Sequence, residues 1–203
     1  IVMELMRRRV ARHGYRALAY SYPSMRLTLA ENAERLARFS RGIAAPRLHF
    51  VGHSLGGLIV LRMLERVPGL APGRAVLLGS PVAGSLAARR LARLPGGRAA
   101  LGRSAPEWHE TGHPGFENKQ EIGVVAGRLP IGAGRIVAPD LPAPSDGVVS
   151  VAETRLPGMR DHIVLDVNHF GMLTSRAVVR QLCAFLRDGA FTREEGGRMK
   201  DEG

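Results

Sequence analysis

Residues 50–57 read Phe50-Val51-Gly52-His53-Ser54-Leu55-Gly56-Gly57, and the fold turns on how this stretch is read. The apolar run at 48–51 predicts a short buried strand, and residues 55–66 predict a helix. Gly-x-Ser-x-Gly at 52–56 therefore falls at a strand-to-helix junction, which is the context the motif needs to carry chemistry. A serine on such a turn is held in a tight, strained backbone with its hydroxyl clear of the chain. Gly52 and Gly56 have no Cβ, so the chain can pass close on either side of it. The helix that follows presents its N-terminus, and the Leu55 N–H is placed to stabilise a developing oxyanion. The plain alternative is a glycine-rich turn with an incidental serine. The apolar strand before it and the double glycine after it favour a nucleophile in a nucleophile elbow.

Working outward, residues 1–13 place Ile1, Val2, Leu5, Met6 and Val10 at helical spacing, and Gly14 closes that helix. Residues 16–20 predict a short strand, ended at Ser21-Tyr22-Pro23-Ser24. Thr28 and Glu31 form a capping-box pair for a helix to about Arg41. Residues 75–78 predict the next strand. Strands alternating with helices imply a parallel sheet covered on both faces, an α/β architecture. Residues 86–94 predict a short amphipathic helix with Arg89, Arg90 and Arg93, and proline and glycine then interrupt the chain up to about Gly115. Residues 122–126 and 162–167 predict the last two strands and 173–187 the last helix. We expect one α/β domain over 1–190, with about 81–120 as a cap-like or lid-like insertion and 191–203 as a mobile tail.

A serine hydroxyl needs a base to become nucleophilic at neutral pH. Of seven histidines, His13 lies at a helix end, His49 in a strand and His53 in the turn itself. His169, in Asp166-Val167-Asn168-His169-Phe170-Gly171, follows the last strand, where an open α/β sheet collects its site residues, and is the expected base. Asp146, in Ser145-Asp146-Gly147-Val148-Val149, is the expected partner that orients the imidazole. Its competitors are Asp140 in the same loop and Asp166 at the end of the last strand, and its plain reading is a turn aspartate.

Composition narrows the field. The 203 residues are 45% apolar and 23% charged, as in a globular protein. The net charge of +11 comes from 27 arginines against two lysines. The arginines are spread along the chain, and only ten residues are aromatic, so no basic patch with stacking platforms is laid out and specific nucleic-acid binding is not expected. No apolar run approaches the roughly 20 residues of a membrane span, and a cytoplasmic location is expected. Cys183, the single cysteine, excludes a disulfide framework and reads as a small buried apolar residue.

Taken together, Gly52-His53-Ser54-Leu55-Gly56-Gly57, Asp146-Gly147-Val148-Val149-Ser150-Val151 and Asn168-His169-Phe170-Gly171-Met172-Leu173 resemble the α/β-hydrolase superfamily. Within it, they resemble most the bacterial lipase/esterase-like branch related to GPI inositol-deacylase-like hydrolases. Leu78-Gly79-Ser80-Pro81-Val82-Ala83-Gly84-Ser85 is similar to the segment after the next strand in that branch. The likeness runs over about residues 1–190. It implies a mainly parallel sheet with helices on both faces, Ser-Asp-His order, and an ester or lipid substrate with no metal or cofactor. It also implies a central strand and a His-Gly segment ahead of the opening helix, the latter supplying a second oxyanion donor. Neither is present in these residues, so an N-terminally truncated start is expected. By the resemblance, that strand lies between those at 16–20 and 48–51. Its absence is expected to leave a gap in the sheet or to force its neighbours together, and one lost oxyanion donor costs on the order of 100–1000-fold in rate.

Three readings follow: a serine esterase or lipase, a non-catalytic binding domain of the same shape, and a zinc hydrolase. The last rests on His109-Glu110-Thr111-Gly112-His113, a His-Glu-x-x-His pattern whose histidines must share one helix face. Gly112, Pro114 and Gly115 oppose such a helix, and the segment reads better as part of a cap. The basic helix at 86–94 reads first as a solvated surface helix and second as a lid in transient contact with a membrane surface.

Overall fold

The structure, a computed structural model, describes residues 2–67, 73–105, 108, 120–132 and 134–193. Helix α1 (Val2–Ala11) is followed by α2 (Leu29–Arg41), β1 (Phe50–His53), α3 (Leu55–Arg66) and β2 (Ala75–Leu78). Then come α4 (Leu86–Leu91), α5 (Gly97–Leu101), β3 (Ile122–Gly127), α6 (Gly134–Val137), β4 (Asp161–Leu165) and α7 (Arg176–Asp188). Single 3-10 turns lie at Ala152–Thr154 and Gly171–Leu173. Among the described residues the sheet has four strands in the order β1-β2-β3-β4, all parallel.

The sheet separates two apolar layers, and the period-2 alternation of its strands assigns each residue to one of them. Ala75, Leu77, Ile122 and Val124 face α2 and α3, where Leu29, Leu36, Ile59, Leu61 and Met63 pack against them. Val76, Leu78 and Val125 face α1 and α7, meeting Met6, Val10, Val178, Leu182 and Phe185. All four residues of β2 are therefore buried, which explains its uninterrupted apolar sequence. The Thr28 hydroxyl accepts from Glu31 N, and the Glu31 carboxylate accepts from Thr28 N, so the predicted capping box forms. Helix α7 is capped by Ser175 and stopped by Gly189 at φ 77°.

Most predicted elements appear with ends moved by a few residues. The predicted strand at 48–51 is Phe50–His53, leaving His49 outside it, and the last helix starts at Arg176 after a 3-10 turn. The amphipathic helix predicted over 86–94 is six residues long. It is seated through Ala87 on Ala138 and Leu141, while Arg90 pairs with Asp140 at 2.5 Å.

The strand predicted at 16–20 does not form. These residues are in neither helix nor strand and make no ladder with the sheet. A cavity of about 450 Å³ is lined by residues of both this segment and β1, Ala17, Leu18 and Ala19 with Phe50, Val51 and Gly52 among them. A segment without a backbone partner forms no strand, whatever its composition, since a strand is defined by its partner. The expected tail falls mostly outside the described residues, as does part of the expected cap, including His109, Glu110 and His113.

Candidate active site

Parallel strands deliver their following loops to one end of the sheet. The turn after β1, the loop between β3 and β4, and the loop after β4 thereby bring Ser54, Asp146 and His169 to the same end.

Ser54 sits at φ 52°, ψ −125°, and is the one non-glycine residue with positive φ among the described residues. That conformation is strained for an L-residue and persists only where its surroundings hold it. Here β1 holds it through Ser54 N, which donates to Leu78 O at 2.9 Å, and α3 begins at once with Gly57 N donating to Ser54 O at 3.0 Å. Gly52 is required for this turn: a Cβ there would collide with Gly57 Cα and lie 2.7 Å from the carbonyl carbon of Gly56. Leu55 is the first residue of α3, so its N–H is one of the helix's unpaired N-terminal donors. Ser54 Oγ makes no hydrogen bond among the described residues.

Asp146 and His169 are buried, at 0% and 3% exposure. His169 Nδ1 donates to Asp146 Oδ2 at 2.7 Å, since a carboxylate oxygen can only accept. With Nδ1 engaged by the carboxylate, Nε2 is the ring nitrogen left for other partners. Asp146 Oδ1 accepts from Val148 N at 2.9 Å and Val149 N at 2.7 Å, so the buried charge is met on both oxygens. His169 N donates to Asp146 O at 2.9 Å, joining the two loops through the backbone as well. Two glycines at the ends of β2 and β3 leave room for the carboxylate. A Cβ at Gly79 would stand 3.0 Å from Asp146 Oδ2, and one at Gly127 2.8 Å from Asp146 Cβ.

The competing carboxylates are engaged elsewhere: Asp140 with Arg90, and Asp166 with Arg128 at 2.5 Å, both at the surface. His162 contacts Thr154 Oγ1 at 3.0 Å, away from the serine turn. His53, predicted as part of the turn, also reaches across to the loop after β4: its Nε2–H donates to His169 O at 2.9 Å, and the two rings stand 4.6 Å apart. Burial, followed by the nearby His169, holds the His53 pKa down to about 4. Phe170 packs edge-on against His169 at 5.5 Å and is 65% exposed, an apolar rim beside that imidazole. Tyr22 packs over Gly56, at the start of α3, and burial pushes its phenol pKa up. Sequence reasoning missed the reach of His53 and the parts played by Tyr22, Phe170, Gly79 and Gly127. Only the glycines left a signal, each standing directly after a buried apolar run.

The fold and this end of the sheet define an α/β protein of hydrolase type, and comparison with known proteins is specific on the point. The chain belongs to the alpha/beta hydrolase family, whose model matches residues 2–197. That match is to the family at large and singles out no branch of it. Among solved structures, the chain is similar to the mature form of Bacillus licheniformis lipase BlEst2, with 19% identity and TM-score 0.61 over 79% of this chain and 74% of that one. It is also similar to the metagenomic carboxyl esterase MGS0156, with 24% identity and TM-score 0.61 over 81% of this chain and 57% of that one. Similarity to phospholipase PlaB from Legionella pneumophila is at 14% identity and TM-score 0.64, over 92% of this chain and 55% of that one. The chain thus spans little more than half the length of the last two. At these identities the likeness is one of fold. No curated protein matches the chain at a significant level. No described helix is long and apolar enough to cross a membrane.

Proposed function

We propose that this chain is a serine hydrolase that cleaves carboxylic esters with an acyl or lipidic component, using Ser54 as nucleophile, His169 as base and Asp146 as the group that orients it. The observation that carries this reading is the buried Asp146–His169 pair, with Nε2 left free, at the same end of the sheet as the strained Ser54 turn. Family membership and the lipase and esterase folds it resembles support it.

In this reading the Ser54 Oγ attacks the ester carbonyl carbon as its proton passes to His169 Nε2. The carbonyl oxygen becomes an oxyanion facing the Leu55 N–H at the positive end of α3. Asp146 stabilises the imidazolium without taking its proton. Collapse breaks the bond to the alcohol, which leaves with the proton from His169, and an acyl-Ser54 ester remains. Water then attacks that ester with His169 again as base, releasing the acid and restoring the serine.

Labelling with a fluorophosphonate probe tests this directly. The parent chain should be labelled, Ser54→Ala should not, and p-nitrophenyl ester turnover should follow the label. Equal labelling of both chains would remove Ser54 from the mechanism. A parent chain that neither labels nor turns over ester would point to a non-catalytic binding domain.

A further inference from the structure

We propose that His53 is a positioning residue for the base: its Nε2–H holds the His169 carbonyl and so fixes the base loop against the serine turn. This rests on the reading of Ser54 and His169 as nucleophile and base.

The need for such a link follows from the sheet order. Among the described residues β1 and β4 are its two edges, with β2 and β3 between them. At about 4.8 Å per strand the serine and the base start roughly 14 Å apart. The loop after β4 must therefore reach back across two strand ends to bring an imidazole to Ser54. Asp146, from the loop after β3, holds that imidazole by its ring and holds His169 N from the far side. On the near side, the described hydrogen bond from the serine turn to the base loop is His53 Nε2–H to His169 O. His169 is thus pinned at its N–H, its C=O and its ring, and His53 is the tie to the segment that carries the nucleophile.

The surroundings suit that role. The His53 ring is largely shielded, lies 4.6 Å from the His169 ring and 6.5 Å from that of Phe170, and is also within the field of Asp146. The His169 carbonyl can only accept, so the contact itself places the proton on Nε2, and the lowered pKa means the ring adds no charge beside His169 near neutral pH. A histidine that merely packed against the His169 ring would be replaced better by phenylalanine than by glutamine, the reverse of the order expected below.

The test compares His53→Gln, whose amide can donate to the same carbonyl, with His53→Phe, which keeps an aromatic ring and loses the donor. Melting temperatures are measured first, and if His53→Phe does not fold, His53→Asn, too short to reach the carbonyl, takes its place. With p-nitrophenyl butyrate, kcat and the rate of fluorophosphonate labelling should fall about 10–100-fold in the variant without the donor, while KM stays within about twofold. His53→Gln should recover most of the loss. The far-downfield proton resonance of the His169 Nδ1–H bonded to Asp146 gives a readout that needs no turnover. It should persist in His53→Gln and broaden in His53→Phe. Equal rates in parent and His53→Phe, failure of His53→Gln to recover, or an unchanged resonance in all three would overturn the proposal. If the parent labels at Ser54 and His53→Phe labels as fast, only the His53 role falls. A parent that never labels removes the serine reading and this role with it.

Discussion

His53 gains nothing from a proton in the folded chain, and this has a thermodynamic consequence. Its pKa is held at about 4 against an ordinary 6.5. Above pH 6.5 neither folded nor unfolded chain protonates it, and it leaves stability independent of pH. As pH falls from about 6.5 towards 4, the unfolded chain takes up a proton that the folded chain refuses, so stability declines through that window. The shift corresponds to a loss of up to about 3 kcal/mol. Burial also lowers the pKa of His49 and His162, and they act in the same direction. Urea midpoints measured between pH 7.5 and 4.5 should fall with pH, and the fall should be shallower in His53→Gln. A variant with the parent's slope would mean that His53 is freely protonated in the folded state. At this scale the sequence was informative where a side chain's task is set by its own loop. Ser54, Asp146 and His169, which the fold brings to one end of the sheet, could each be picked out from a local segment and from chain order. The choice of Asp146 over Asp140 and Asp166 could be made only provisionally. The arginines that engage those two, Arg90 and Arg128, lie about 40–50 positions away in sequence, and such pairings are invisible until the chain folds.

Elements show the same division between local and distant causes. The Thr28 capping box and the Gly189 stop are short-range chemistry, and both appear where the residues announce them. The serine turn is also local, and it depends on Gly52 more than on the serine. Gly52→Ala puts a methyl group into the Gly56–Gly57 backbone, which has nowhere to move. The expected cost is about 1–3 kcal/mol, read as a lower urea midpoint, together with loss of probe labelling. Gly42→Ala, where a Cβ would meet only Phe39 O at 3.4 Å, is the matched control and should change little. An unaltered midpoint in Gly52→Ala would show that the turn is looser than its geometry implies. Residues 16–20 fail for the opposite reason. Their composition suits a strand, but a strand needs an edge to pair with, and among the described residues they pair with none.

On the scale of the whole molecule, the α/β class was legible because alternating short apolar runs and helices admit few other arrangements. Strand order was not written in any local pattern. Nor was the assignment of Ala75 and Leu77 to one layer and Val76 and Leu78 to the other, since β2 is apolar throughout and carries no alternation to read. The unpaired edge of β1 leaves its own mark on that strand. Phe50 N and Ser54 N donate to the carbonyls of Arg74, just before β2, and Leu78, at its end; strand alternation then aims the Val51 and His53 amides away from β2, the only strand paired with β1 among the described residues. Amide hydrogen exchange along the serine-bearing strand should therefore alternate, with slow exchange at 50 and 54 and fast exchange at 51 and 53. Uniformly slow exchange would mean that another backbone has taken its place there in solution. A strand with helices on both faces and a neighbour on one side would then behave, residue by residue, as half interior and half rim.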